Sequence, residues 1–335
     1  MIRRIRLTIL MARPPVLVLL ALFTATGLAQ AGHGEDRVLL AKALAVVAGF
    51  LMFSVACNDL ADEAIDRVNL AGDRRRPLAT GAASRREFML TGAVSAAVAL
   101  AVSATLHWPA IVVTACGLAL SAGYSLRPVR IADRGAVASL VLPACYVAVP
   151  YLIGIFAARA FVRPADLSLL AGLYVGFIGR ILLKDFRDVR GDALFGKRTF
   201  LVRHGRLWTC RFSGCCWIVG SIVLVAAARP TVYLAGAYAA CVAIAVGLLR
   251  ALSVDQGPRR DERLISAIAI VGRGMVVLLV AHLSMTQAFP WYGAVIAALS
   301  VLIAGQATSM LRHGPIVRLT VPSAADLAPA TSRGT

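Results

Sequence analysis

The chain has 335 residues, of which 59% are hydrophobic and only 16% charged, and its mean hydropathy is +0.78; a water-soluble domain of this size cannot bury so much apolar surface. Its 35 Lys and Arg against 17 Asp and Glu leave a net charge of +18. Those cations lie in short loops rather than on one basic domain or tail, so they are read as orienting helices and meeting anionic lipid head groups, and no nucleic-acid partner is expected.

Apolar runs of roughly 17 to 23 residues are long enough to cross a hydrocarbon core. They predict spans near 14–32, 38–57, 88–106, 108–124, 136–157, 166–183, 212–228, 231–250, 264–286 and 290–308. The fold expected is therefore all-α, a polytopic transmembrane bundle of nine to ten helices in one domain over 1–310, with a disordered cytoplasmic tail rich in Ala, Pro, Ser and Thr over 311–335. Arg3, Arg4 and Arg6 before an apolar run ending in Ala29-Gln30-Ala31 resemble a signal peptide. The length of that run and the nine spans after it favour its retention as the first span.

Alternate loops of a crossing chain should differ in Lys and Arg. Of the 35 cations, 29 fall on one side, in the N-terminus, in loops 58–87, 125–135, 180–211 and 250–263, and in the C-terminal tail. The other side receives only Arg37, Arg159, Arg163 and Arg229, while Lys42 and Arg273 fall inside spans. Both termini are thus expected in the cytoplasm, with the protein multi-pass in the cell membrane.

Cys57, Cys116, Cys145, Cys210, Cys215, Cys216 and Cys241 lie in or beside apolar runs without a C-x-x-C pair, and the histidines at 33, 107, 204, 282 and 313 are scattered. Neither a zinc site nor a Cys/His nucleophile is supported. The glycines are spread through spans, where they allow close helix packing, and form no phosphate-binding loop.

Two acid-rich stretches break the apolar pattern. In Asn58-Asp59-Leu60-Ala61-Asp62-Glu63-Ala64-Ile65-Asp66, the residues Asn58, Asp62 and Asp66 recur every fourth position. If the second span continues as helix, they form one stripe, with Asp59 and Glu63 on its neighbour. Like charges at that spacing oppose helix formation, and a cation between them removes the penalty. In the second stretch, Asp185, Asp188 and Asp192 are spaced three and four apart at the end of the sixth span, with Lys184 one turn before Asp188. One such stretch alone, interleaved with Arg67, Arg187 and Arg190, reads as a solvated salt-bridged loop. Two of them, each directly after a span and on the same side, point to divalent cations holding a phosphorylated ligand at the membrane surface.

The N-D-x-x-D-x-x-x-D pattern from Asn58 to Asp66, followed by Asn69 and the run Arg75 to Gly81, resembles the UbiA superfamily of intramembrane prenyltransferases. Lys184 to Asp192 with Gly196 to Phe200 is similar to the second aspartate motif of that superfamily, and Tyr124-Ser125 with Arg127 and Arg130 to its loop after the fourth span. The resemblance covers roughly residues 10–290 and implies a helical bundle around a central cavity. It implies Mg2+ held by Asn58, Asp59, Asp62, Asp66, Asp185, Asp188 and Asp192, with Asp62, Asp66, Asp188 and Asp192 as the catalytic acids. Asn58, Lys184, Arg67, Arg130, Tyr124 and Ser125 would bind the diphosphate of an isoprenyl donor.

The implied reaction is transfer of the isoprenyl group to an aromatic or lipid acceptor through an allylic cation, shielded by an apolar cavity with an aromatic face. Tyr124, Tyr146, Tyr151, Tyr174 and Phe177 are candidates, each equally a core-packing residue. A terpene cyclase remains an alternative. A secondary transporter and a noncatalytic scaffold are further alternatives, although transporter sites lie near the midplane among broken helices, whereas these acids gather at one face.

Overall fold

Prolines and capping residues mark where the helices begin. In this computed structural model, which describes residues 2–69, 76–186 and 199–286 and the single positions 297, 300, 304 and 305, Pro14 and Pro164 open two helices at their first position, where the missing N–H is no loss. Ser84 and Glu87 form a reciprocal capping box at the start of another, with the Ser84 N–H donating to Glu87 at 2.7 Å and both orphan donors satisfied. The described residues form α1 Ile2–Ala12, α2 Pro14–Gln30, α3 Arg37–Asn69, α4 Arg85–Ser103, α5 Trp108–Ser125, α6 Ala136–Pro143, α7 Val149–Ala158, α8 Pro164–Ile181, α9 Phe200–Ala228, α10 Val232–Ser253 and α11 Pro258–Thr286.

Eight segments are long and apolar enough to cross a membrane: α3, α4, α5, α6 to α7 as one run, α8, α9, α10 and α11; α2 is a shorter apolar helix. These correspond to the first nine expected spans. The tenth, at 290–308, lies almost wholly outside the described residues, as do the tail over 311–335 and Asp188 and Asp192.

Three helices differ in extent from the sequence expectation. α3 continues unbroken through Asn58 to Asp66. α9 starts at Phe200 rather than 212 and breaks at Gly205, whose φ of 77° is open to glycine but strained for other residues. α8 tightens into a 3-10 turn over Leu182–Lys184, so Asp185 does not follow from the regular helical register of its span.

α2 packs against α3, α7 and α11, α3 against α4, and α8 against α9. Two close approaches depend on glycine. A Cβ on Gly27 of α2 would overlap the Tyr151 carbonyl of α7, and one on Gly154 of α7 would overlap the Thr24 carbonyl of α2. Lipid offers no hydrophobic drive to bring helices together, so such backbone proximity and its dispersion contacts carry the association. α8 and α9 use the same device at Gly172 and Gly220 and add a hydrogen bond from Ser213 Oγ to the Gly179 carbonyl at 2.7 Å.

One end of the bundle is closed by a buried ion pair. Asp166, fully buried at the start of α8, accepts from Arg159 Nη2 at 2.7 Å, from the Arg163 N–H at 2.7 Å and from Gln30 Nε2 at 3.3 Å. Its charge is thereby saturated, as a buried carboxylate requires. The opposite end gathers the charged residues taken up next.

Candidate active site

Apolar residues carry α3 into the bundle as far as Cys57, and the helix then leaves the core bearing its acids. Asn58, Asp62 and Asp66 share a stripe, as the four-residue spacing requires. Three arginines from elsewhere in the chain offset the mutual repulsion of these acids. Arg13, in the left-handed turn between α1 and α2 (φ 42°), donates to Asp59. Arg76 Nη1 reaches Asp59 Oδ1 at 2.7 Å and lies 3.2 Å from Asp66 Oδ2. Arg130, also left-handed (φ 34°), donates from Nη2 to Asp62 Oδ1 at 2.7 Å, from Nη1 to the Ala61 carbonyl at 3.2 Å and from Nε to Asp133 at 2.6 Å. Positive φ at a non-glycine residue costs of order 1–3 kcal/mol, and at both positions the arginine in that turn holds a motif carboxylate.

A small cavity of 40 Å3 opens beside this cluster between α2, α3, α5 and the segment joining α6 to α7. Arg13, Asn58, Tyr124 and Ser125 line its polar end, and Leu20, Phe50 and Leu142 its apolar part. Ser121 donates to Ser54 across it at 2.6 Å. The joining segment is a π-helical turn, Ala144–Ala148, bounded by Pro143 and Pro150, whose missing N–H groups loosen the α-helical ladder. That turn places Cys145 and Tyr146 on the cavity wall. Lys184 donates to the Tyr124 hydroxyl at 3.2 Å with its ammonium 5.8 Å from the ring centroid, so the end of α8 reaches the same cluster.

The expected site residues therefore divide. Asn58, Tyr124 and Ser125 line the cavity, Asp62 faces Arg130, Asp66 faces Arg76, and Lys184 meets Tyr124. Asp59 is buried under two arginines, and Asp185 is buried directly after the 3-10 turn. Arg67 stands on the exposed side of α3, paired with Glu63 at 2.6 Å. Asp188 and Asp192 lie outside the described residues. Among the described residues no three His, Cys, Asp or Glu groups converge as a metal site. The donors that are present, two stripe carboxylates and an asparagine, are hard oxygen ligands of the kind Mg2+ takes.

Arg13 entered the sequence reading only as an orienting cation and Arg76 only within the Arg75 to Gly81 run, with no acid assigned to either, yet both hold Asp59. Arg13 is 46 residues away and Arg76 17, so local spacing carries no trace of either pairing beyond the Arg13-Pro14 step at the start of the first span. Of the aromatics, Tyr146 and Phe177 stack at 5.7 Å with an interplanar angle of 22°, and Phe23 meets Phe177 edge-on at 6.1 Å. Tyr151 is instead a core residue at the far end, where its hydroxyl donates to the Asp166 carbonyl at 3.2 Å. The Tyr174 hydroxyl donates to the Leu140 carbonyl.

A second, wider hollow of 690 Å3 lies between α3, α4 and the 126–133 segment, lined by Phe53, Leu60 and Met89 and by the charged Arg85, Arg127, Arg130 and Asp133. Arg130 thus stands between this hollow and Asp62.

The profile of the UbiA prenyltransferase family matches residues 18–267, the stretch that contains the acid stripe, the Tyr124 loop and Lys184. The chain belongs to the UbiA prenyltransferase family. Among curated UbiA relatives it is 26% identical over 158 residues to the bacteriochlorophyll synthase 34 kDa chain of Chloroflexus aurantiacus, covering 47% of this chain and 50% of that protein. It is 29% identical over 169 residues to the chloroplastic chlorophyll synthase of Arabidopsis thaliana, covering 47% of this chain and 42% of that one. The chain spans about half the length of the curated relatives it matches. The fold is shared with a digeranylgeranylglyceryl phosphate synthase (TM-score 0.65, 15% identity, 84% of this chain and 99% of that one). It is shared equally with a UbiA homologue of Archaeoglobus fulgidus bound to DMAPP and Mg2+ (TM-score 0.64, 17% identity, 83% and 99%). This UbiA chain is an integral membrane bundle of the same helical class.

Proposed function

We propose that this UbiA protein transfers an isoprenyl group from an isoprenyl diphosphate to an aromatic or lipid acceptor within the membrane. The observation that carries the proposal is the pairing of the acid stripe of α3 with arginines from elsewhere in the chain, Asp62 with Arg130, Asp66 with Arg76 and the adjacent Asp59 with Arg13 and Arg76, beside a cavity lined by Arg13, Asn58, Ser125 and the Tyr124 that Lys184 meets. Mg2+ ions would be held by Asn58, Asp62 and Asp66 on one side and by Asp188 and Asp192 on the other, with Asp59 and Asp185 as weaker donors. They would supply positive charge to the diphosphate oxygens.

The guanidinium groups now satisfied by the acids supply the exchangeable positive field. On donor binding, Arg13 and Arg130 turn part of their hydrogen bonding from carboxylate to diphosphate, and Lys184 and Ser125 add donors from the other wall. The bond between C1 and the bridging oxygen then breaks, with the electron pair leaving on diphosphate, and these cations stabilise that developing charge. The allylic cation forms beside Tyr146 and Phe177, whose rings shield it from water. An electron pair of the acceptor closes the new bond to C1, and the acceptor loses a proton.

The bundle lies multi-pass in the cell membrane with the acid end and both termini in the cytoplasm, and residues 1–310 act as one domain. The test is diphosphate release by the purified protein from farnesyl and geranylgeranyl diphosphate, with Mg2+ or EDTA and with or without phenolic, porphyrin-type carboxylate and lipid acceptors. Release requiring Mg2+ and an acceptor is expected. Release without any acceptor would replace transfer by cyclisation, and none under any condition from folded protein would overturn the reading in favour of a scaffold or transporter.

A further inference from the structure

At the charged end of the bundle α3 lines two separate spaces. Phe50, Ser54 and Asn58 border the polar cavity, whereas Phe53, Cys57, Ala61 and Ala64, on a different face of the helix, border the 690 Å3 hollow. The hollow is of the size that takes a whole small molecule.

Its chemistry is graded along the helices. Arg85, at the first position of α4, and Arg127, Arg130 and Asp133 of the following loop line it at the acid end of the bundle. Gly92 and Ala93 line it farther in, about 12 Å along α4 from Arg85 at 1.5 Å per residue. On α3 the lining runs from Ala64 back to Phe53, about 16 Å by the same rise. Met89, Leu90 and Val94 are each more than half exposed, so the hollow opens on a side of α4 that meets lipid. Charge thus gathers at the membrane surface and apolar wall extends toward the hydrocarbon.

The charges on its wall do not cancel, since three arginines stand against one aspartate. Arg85 is engaged by Glu63, and Arg130 gives Nε to Asp133 at 2.6 Å and Nη2 to Asp62 at 2.7 Å. Arg127 is exposed and has no carboxylate partner among the described residues. A lone cation at a cytoplasmic membrane surface is ordinary; this one stands over an apolar hollow between spanning helices, the setting in which basic side chains take anionic lipid head groups. A guanidinium matches phosphate oxygens in two-pronged geometry. A small soluble anion would leave the apolar wall bare, and an uncharged hydrocarbon would leave Arg127 without an anion.

We propose that this hollow binds one anionic phospholipid, with its phosphate at Arg127 and an acyl chain along Phe53, Met89 and Ala93. The site is distinct from the cavity beside Asn58, and the proposal does not depend on the prenyltransferase reading. Arg130 lines the hollow and also holds Asp62, so the lipid lies one guanidinium away from the acid stripe.

The experiment titrates the purified protein in detergent with phosphatidylglycerol and with phosphatidylcholine of the same chains, counting bound lipid by native mass spectrometry and following thermal unfolding alongside. Wild type is compared with Arg127→Gln and Ala93→Trp and with the controls Arg86→Gln and Ala97→Trp, which are exposed on α4 but do not line the hollow. Wild type should bind one phosphatidylglycerol at least about tenfold more tightly than phosphatidylcholine, as expected for more than one net positive charge near the head group. Arg127→Gln should weaken that binding about fivefold, the effect of one basic residue at an anionic surface, while the controls stay within about twofold of wild type. Ala93→Trp fills the apolar part and should weaken it at least as much; Arg127→Gln, at an exposed position, tests the site even if Ala93→Trp fails to fold. Equal affinity for the two lipids, no change in Arg127→Gln, or an equal loss in Arg86→Gln would overturn the proposal. So would a dimer that Ala93→Trp dissociates, which would give this face to a second copy of the chain.

Discussion

Asp62 and Asp59 lie three positions apart on one helix, yet their surroundings set them to different tasks. Asp62 faces Arg130 and stays partly accessible, whereas Asp59 is buried beneath Arg13 and Arg76. Asp62→Ala should therefore leave folding intact, because Arg130 keeps Asp133, and should lower Mg2+-dependent diphosphate release about 10²–10³-fold; unchanged release with folded protein would remove Asp62 from the site. Asp59→Ala removes the buried carboxylate that Arg13 and Arg76 share, leaving Arg76 on Asp66, and should destabilise by on the order of 1–3 kcal/mol, read as a lower melting temperature in detergent. Arg13→Ala should raise the donor KM about tenfold with partial recovery in Arg13→Lys, since a point charge restores attraction to diphosphate but not the planar two-pronged geometry. At this scale Asn58, Asp62 and Asp66 were legible from spacing alone, because a helix places every fourth residue on one stripe. The roles of Arg13 and Arg76 were not, because nothing local connects Arg13 to an acid 46 residues away.

Helix contacts form the next scale, and they depend on residues without chemistry of their own. The α2 and α7 crossing closes only because Gly27 and Gly154 let each backbone meet the other's carbonyl. Gly154→Val should separate those helices and cost about 1–3 kcal/mol or more through overpacking, read as a lower melting temperature in detergent. At the far end, Asp166→Leu removes the partner of Arg159 and leaves a buried cation, an effect of about 3–5 kcal/mol. This variant should melt earlier while any folded fraction responds to Mg2+ and EDTA as wild type does, which separates the latch from the proposed chemistry. Span positions were legible here because they follow from run length. The early start of α9, the 3-10 turn ending α8 and the π-helical turn around Cys145 and Tyr146 were not. Each is a local departure from regular geometry imposed by neighbours or by proline, and average periodicity cannot report it.

For the whole molecule, the positive-inside distribution makes one orientation the expectation, with the acid end cytoplasmic. Cysteine introduced at Phe161, exposed beside Arg163, should react with a membrane-impermeant maleimide on intact cells, while cysteine at Val129, exposed in the Tyr124 loop, should react only after permeabilisation. The reverse pattern would invert the bundle and place both acid stretches outside. Length and hydropathy determined by themselves that this chain crosses a membrane many times, because about 20 apolar residues in helical form are what a bilayer admits. The four-residue recurrence of Asn58, Asp62 and Asp66 likewise determined where an acidic stripe would emerge, since helical geometry is local. Only the tertiary structure decided which cations face that stripe, that Lys184 meets Tyr124, and that Gly27 and Gly154 lie where two backbones touch. Those facts are set by packing between helices far apart in the chain, where the neighbours of a side chain are fixed by the crossing of backbones rather than by its distance along the sequence.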